Sequence, residues 1–407
     1  MAPFDSDDNT TAAEAGEPRT GRRRAARYVV PVAVMGVAAA TIGLVPALAD
    51  SGDPDLPEVT AQQLVQKMAE SDVQQLSGTV RITTDLGLPD LGGLESGLAS
   101  GMSGGPGAEG GDDAGSPADP SAKLTGLVSG THTLRVAADG PDRQKLSLLE
   151  DAAEYSLIHD GKDVWGYDSR TNEVYHSTVP GDAGQPRHQV PVTPKDLADQ
   201  ALKAVDDTTS VTVDGTAQVA GRDAYRLVIK PRQSGSTVGA VTVAVDARTG
   251  LPLKFTLTPA GGGAAVVDAG FTDVSFAKPD ASTFDFTPPK GAEVTEADKT
   301  PEAPEQRPGA GGDLAGELDG LKVIGEGWNA IAAFDTGGQG LPTAPEGGDA
   351  GALGGFLGSF GDQVEGDFGS GTVFTTRLVN ALITDDGKVY AGAVTKEALV
   401  KAAEAAK

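Results

Sequence analysis

The 407-residue chain carries 56 glycines, 26 prolines, no cysteine and a net charge of −26. That length accommodates about two domains, with much of it in loops. Its acidity argues against a nucleic-acid partner, because phosphate neutralisation supplies most of that affinity, and against electrostatic docking on anionic lipid. Without cysteine there is no disulfide and no lipid anchor on an N-terminal Cys, so stability must come from burial.

Residues 1–27 form a tail in which acids from Asp5 to Glu17 balance arginines from Arg19 to Arg27. Residues 28–49, YVVPVAVMGVAAATIGLVPALA, are uncharged and follow that basic block, as an export signal does. Ala47-Leu48-Ala49 fits a small-residue cleavage site before Asp50. The run also has the length of about 20 residues that spans a bilayer. The expected location is therefore outside the cytoplasm, either held at the cytoplasmic membrane by this segment or released after cleavage.

The first helix is signalled by Thr60 with Gln63 three positions on, and by Val59 and Leu64 at staple positions. A strand, LSGTVRITTD, follows, with Val80 and Ile82 on one side and Arg81 on the other. Residues 85–130 are a Gly/Ser/Pro/Asp-rich insertion. Strands resume at THTLRVAADG, RQKLSLLED, AEYSLIHDG, KDVWGYDSR and NEVYHSTV. A second helix starts at Thr193-Pro194, with Leu197, Ala201, Leu202 and Val205 as its apolar stripe.

Residues 210–289 alternate apolar and polar side chains with a period of two, the mark of an antiparallel sheet with one buried face. Asp214-Gly215, residues 220–223 and residues 247–250 read as hairpin turns. A Pro/Glu/Gly linker, 295–319, leads to a small appended module, 320–407, with a few strands, a turn at Asp386-Gly387 and a helix capped by Thr395. It encloses a second Gly-rich insertion, 337–371. Both insertions hold apolar residues at helical spacing: Leu91, Leu94, Leu98 and Met102, then Leu353, Phe356, Leu357, Phe360 and Val364. These stripes suit a mobile lid or a membrane-sampling foot.

Short matches to catalytic signatures at Gly101–Gly105, Asp50-Ser51-Gly52, Phe334–Gly337 and Gly325–Ala330 lack the flanking elements that their chemistry needs. His132, His159, His176 and His188 show no metal-ligand spacing. No catalytic residue, metal or cofactor is expected.

The phrases LIHDGKDVWGYDSRTNEVY (157–175), AYRLVIKP (224–231), VTVAVDARTGLPLKFTL (241–257) and FTDVSFAKPDASTFDFTPPKGAEV (271–294) carry a resemblance. Together with the element order, they make residues 56–294 similar to the LolA-like family, which includes lipoprotein carriers and MucB/RseB-like sensors. The resemblance implies a mainly β, α+β fold: a half-open antiparallel barrel with covering helices. It also implies an apolar concavity for acyl chains, lined by Val80, Ile82, Leu134, Val136, Leu146, Leu148, Trp165, Tyr167, Tyr225, Leu227, Ile229, Val243, Phe255 and Leu257. The family's inner-strand Arg role does not transfer to Arg81, which faces away. The implied function is non-enzymatic binding of a lipid or lipoprotein acyl chain. The alternatives are a sensor that binds a membrane-protein partner and, last, a hydrolase using an acid pair.

Overall fold

A computed structural model describes residues 53–87, 118–120, 123, 126–178, 193–297, 322–335 and 361–406. The tail, the segment 28–49, the stripe from Leu91 to Met102 and the residues Leu353 to Phe360 lie outside the described residues. Among the described residues no helix is long and apolar enough to cross a membrane.

Both leading helices begin where their caps predict. In α1 (Ala61–Ala69), Gln63 N donates to Thr60 Oγ1 at 3.2 Å and Thr60 N donates to Gln63 Oε1 at 2.8 Å. In α2 (Pro194–Lys203), Thr193 and Asp196 close the same reciprocal box, with Pro194 at the first turn. Two donors that would otherwise be orphaned are satisfied at each start, which fixes where the chain enters the helix.

The main sheet contains β1 (Gln75–Thr84), β2 (Gly130–Asp139), β3 (Arg143–Glu150), β4 (Ala153–Asp160), β5 (Asp163–Asp168) and β6 (Glu173–Thr178). It continues with β7 (Thr209–Val219), β8 (Arg222–Pro231), β9 (Val238–Asp246), β10 (Pro252–Pro259), β11 (Val267–Ser275) and β12 (Glu293–Glu296). The spatial order is β12-β6-β5-β4-β3-β2-β1-β11-β10-β9-β8-β7. All neighbours are antiparallel except β12, which runs parallel to β6. Strand β1 joins the two halves, with Val80 opposite Leu134 on one side and Phe271 on the other. The outer strands β12 and β7 do not meet, so this curved sheet is a half-open barrel, as expected.

Residues 220–223 and 247–250 are hairpin turns. Ala220 and Gly221 both have positive φ, 51° and 71°, the conformation of a tight two-residue loop that matches strand twist. Asp214-Gly215, in contrast, is not a turn. Strand β7 runs straight through it, and pairing jumps from Val213 opposite Leu227 to Thr216 opposite Tyr225. One extra residue has been inserted, a β-bulge made possible by Gly215 at φ 75°. Residues 276–290 do not extend the alternating sheet either. They form a strap containing a short 3-10 turn, Ala281–Thr283, between β11 and β12.

The C-terminal residues build a second sheet from β13 (Lys322–Ile324), β14 (Ile331–Asp335), β15 (Asp362–Gly366), β16 (Gly369–Thr375), β17 (Asn380–Thr384) and β18 (Lys388–Gly392), in the order β13-β14-β18-β17-β16-β15. Helix α3 (Lys396–Ala405) covers it, burying Leu399, Ala402 and Ala403 against Ile331, Val373, Leu382 and Tyr390. The insertion expected over 337–371 is therefore shorter, because β15 and the start of β16 fall inside it. Val364 belongs to a strand rather than to a helical stripe. Glycine is required here: a Cβ on Gly371 would lie 2.7 Å from the Ile383 carbonyl oxygen.

Both sheets belong to one compact unit. The C-terminal sheet docks on the β8–β9 loop, where Thr237 N donates to Ala393 O at 3.0 Å and Thr395 N to Gly235 O at 2.8 Å. It also reaches the end of β1, where Arg377 pairs with Asp85 at 2.5 Å.

Candidate functional site: the apolar inner face

Cross-strand partners share a face, so the register shows which expected residues converge. One row runs Leu227–Val243–Phe255–Ala269–Ile82, and a second runs Val80–Leu134–Leu148–Tyr155. Ile229, Leu257, Val136, Leu146 and Tyr225 fall in phase with them. Apart from Trp165 and Tyr167, all the expected lining residues thus lie on one inner face.

That face is covered. Over β8–β10, α1 contributes Leu64 and Met68 and α2 contributes Ala198, all packed on Tyr225, Leu227, Ile229, Val243 and Phe255. None of these side chains is more than 7% exposed. Leu197 of α2 touches both this cluster and the one around Val80, Leu134 and Leu148. Leu127 adds cover on that second cluster.

The two helices are held differently. Helix α1 is tied by polar contacts: Lys67 Nζ donates to Ala247 O at 2.5 Å, and Tyr225 Oη donates to Pro57 O, just upstream of the helix, at 3.0 Å. A Cβ on Gly250 would lie 2.4 Å from Lys67 O, so only glycine permits this approach. The side-chain hydrogen bonds of α2 instead stay local, Thr193 with Asp196 and Lys195 with Asp199. Its grip on the sheet is apolar, through Leu197, Ala198, Ala201 and Leu202.

Trp165 and Tyr167 sit one residue out of phase with Tyr155, on the opposite face. There they form an aromatic group with Phe286 of the strap, at centroid distances of 5.5 and 5.7 Å. Trp165 also stacks on His176 at 3.8 Å. His176 lies between Asp163 (Nε2 to Oδ1, 3.0 Å) and Glu296 of β12 (Nδ1 to Oε2, 2.7 Å). Burial opposes its charge, but the two carboxylates prevail and raise its pKa. The same face bears a hollow of about 330 Å³ lined by Arg135, Lys145, Ser147, Glu154, Asp273 and Thr283 among others. Alternation alone could not separate these faces, because it gives phase within a strand and not between strands.

Sequence reasoning also missed a buried ion pair, Arg222 with Asp246, beside the turn at 247–250. Asp246 is 1% exposed, and the Arg222 guanidinium lies 4.4 Å from the Phe276 ring centroid. Each of the two flanks a hairpin turn legible in the sequence, but their pairing depends on register. Arg81 is exposed on the outer face, as its alternation indicated. Among the described residues no group of three or more His, Asp or Glu could hold a metal ion. Gly325–Ala330 forms a short turn, and the Gly101–Gly105 and Asp50–Gly52 matches lie outside the described residues.

No known family profile matches the sequence, and no curated protein matches it. Several solved structures match the chain at low identity. An uncharacterized conserved protein from Thermus thermophilus shares 13% identity over 58% of this chain and 98% of its own, with a TM-score of 0.31. MucB in the Pseudomonas aeruginosa MucA/MucB complex shares 16% identity over 84% of this chain and 96% of its own, with a TM-score of 0.38. A LolA superfamily protein from Nitrosomonas europaea shares 13% identity over 56% of this chain and 99% of its own, with a TM-score of 0.20.

Proposed function

We propose that this chain is a non-enzymatic binder of acyl chains at the outer face of the cytoplasmic membrane, and that α2 is displaced when a chain enters. The observation that supports this reading is the continuous apolar inner face whose cover over β9–β11 is a ten-residue helix held by apolar contacts. Lifting α2 exposes Leu197, Ala198, Ala201 and Leu202 together with the sheet beneath. A bound acyl chain re-covers both surfaces and removes its own methylenes from water at about 0.8 kcal/mol each. For roughly sixteen carbons that gain is on the order of ten kcal/mol, comparable with the cost of uncovering a few side chains at about 1.5–3 kcal/mol apiece. The acyl chain's own transfer thus offsets the transient cost of lifting α2. Residues 28–49 would bring the protein to the membrane, as leader or as anchor.

Native mass spectrometry of the purified chain tests this reading. The expected spectrum shows the protein plus lipid-sized masses that disappear on organic extraction. A bare protein mass, persisting after incubation with palmitate, would contradict it, and a co-purified membrane-protein fragment would favour a sensor instead.

A further inference from the structure

We propose that Gly327-Trp328 of the C-terminal module clamps the hinge on which α2 turns, and so sets how readily the inner face opens. The proposal deepens the acyl-binding reading and rests on it for the identity of the ligand.

Helix α2 runs into β7 through residues 204–208. That connector is a tight turn: Thr209 N donates to Asp206 O at 3.0 Å, and Asp206 Oδ1 accepts from Thr208 N at 2.9 Å and from Thr209 Oγ1 at 3.1 Å. Burial opposes ionisation of Asp206, yet the bonds from Thr208 and Thr209 hold its carboxyl below the usual carboxylate range. Any swing of α2 away from the sheet must be absorbed here, since hinges are a few element-terminal residues that take up the φ/ψ change.

The C-terminal module reaches this same turn. Trp328 Nε1 donates to Thr209 Oγ1 at 2.8 Å, and Thr209 is 5% exposed. The indole packs against the apolar cluster under α2, to which Val205 and Leu202 also belong. Gly327 has φ 58°, and a Cβ on it would lie 2.3 Å from Thr208 Oγ1 and 3.0 Å from Asp206 Oδ2. Only glycine brings the module that near. The module's other holds, at Thr237, Thr395 and Arg377, are on different segments, so the contact at 327–328 is not needed merely to dock it. Opening at α2 draws Leu202, Val205 and Asp206 away from Gly327 and the indole, while Thr209 stays paired with Pro231 in β7. By reciprocity, a ligand that opens α2 weakens the Trp328 contact, and a firm Trp328 contact disfavours the ligand.

Hydrogen exchange on the full-length chain, compared with its Trp328→Ala and Trp328→Phe variants, tests the clamp. It is paired with uptake of cis-parinaric acid as a fluorescent acyl probe. Amides of α2 in Trp328→Ala should exchange about tenfold faster, the scale of one hydrogen bond and its packing, while those of α1 stay unchanged. Probe uptake should accelerate in parallel. Trp328→Phe, which keeps an aromatic ring but loses the N–H, should fall between. Unchanged α2 exchange, or equal acceleration in α1 and α2, would overturn the clamp. Faster α2 exchange with no probe uptake by any of the three proteins would uphold the clamp and overturn the acyl reading.

Discussion

Leu227→Asp is expected to leave no folded main sheet at neutral pH. Leu227 is fully buried between β8 and the covering helices, among Val243, Phe255 and Met68. Losing its burial costs about 1.5–3 kcal/mol. An unpaired carboxylate in that place adds several more, because the side chains packed around it there are apolar and do not replace its hydration. The sum rivals the roughly 5–15 kcal/mol by which a domain is stable. Thr212→Asp, on the exposed face of neighbouring β7, should stay within about 0.5 kcal/mol of the parent. Circular dichroism and urea midpoints read both. A folded Leu227→Asp protein with an unshifted midpoint would mean that the inner face is open to water in solution.

Asp246→Ala should be nearly as damaging. Asp246 accepts from Arg222 through both oxygens, with one of those bonds at 3.1 Å. It also accepts from Arg248 N at 3.0 Å, Thr249 N at 2.7 Å and Thr249 Oγ1 at 2.9 Å. Alanine would strand the Arg222 cation and loosen the turn on which α1 rests, at a cost of about 3–5 kcal/mol. Asp246→Asn keeps an acceptor and should cost less. Burial opposes ionisation of Asp246, but Arg222 and Thr249 overcome it and lower its pKa. A lowered carboxyl stabilises the fold above its unfolded value of about 3.9 and loses that contribution as pH falls through the folded value. The parent's urea midpoint should therefore drop more steeply on acidification than that of Asp246→Asn. Parallel curves would show that the charge of Asp246 contributes nothing.

Local signals were legible in the chain and non-local ones were not. The box at Thr60–Gln63 and the Thr193-Pro194 pair predicted two helix starts because every group involved lies close in sequence. Period-two alternation gave the strands and a buried face within each. Asp214-Gly215 misled because the same dipeptide supplies the positive φ of a turn and of a bulge, and only the partner strand distinguishes them. Strand β15 was hidden because its neighbouring glycines read as loop, although Gly369 supplies the positive φ of the β15–β16 turn and Gly371 a close strand approach. Trp165 and Tyr167 were assigned to the wrong company for a related reason: their phase relative to Leu148 depends on register across β3, β4 and β5. The pairing of β1 with β11, distant in sequence, and the role of Trp328 at the α2 hinge had no local trace.

In the proposed complex an acyl chain lies between α2 and the inner face. The most direct test of that placement is paramagnetic broadening in the amide spectrum on adding a stearic acid that carries a nitroxide near its methyl end. A chain bound there should cause selective loss of signals from α2 and from Leu227, Val243 and Phe255, reversed by reducing the nitroxide. Loss confined to the opposite face around Trp165 and Arg135, or no loss at all, would contradict it.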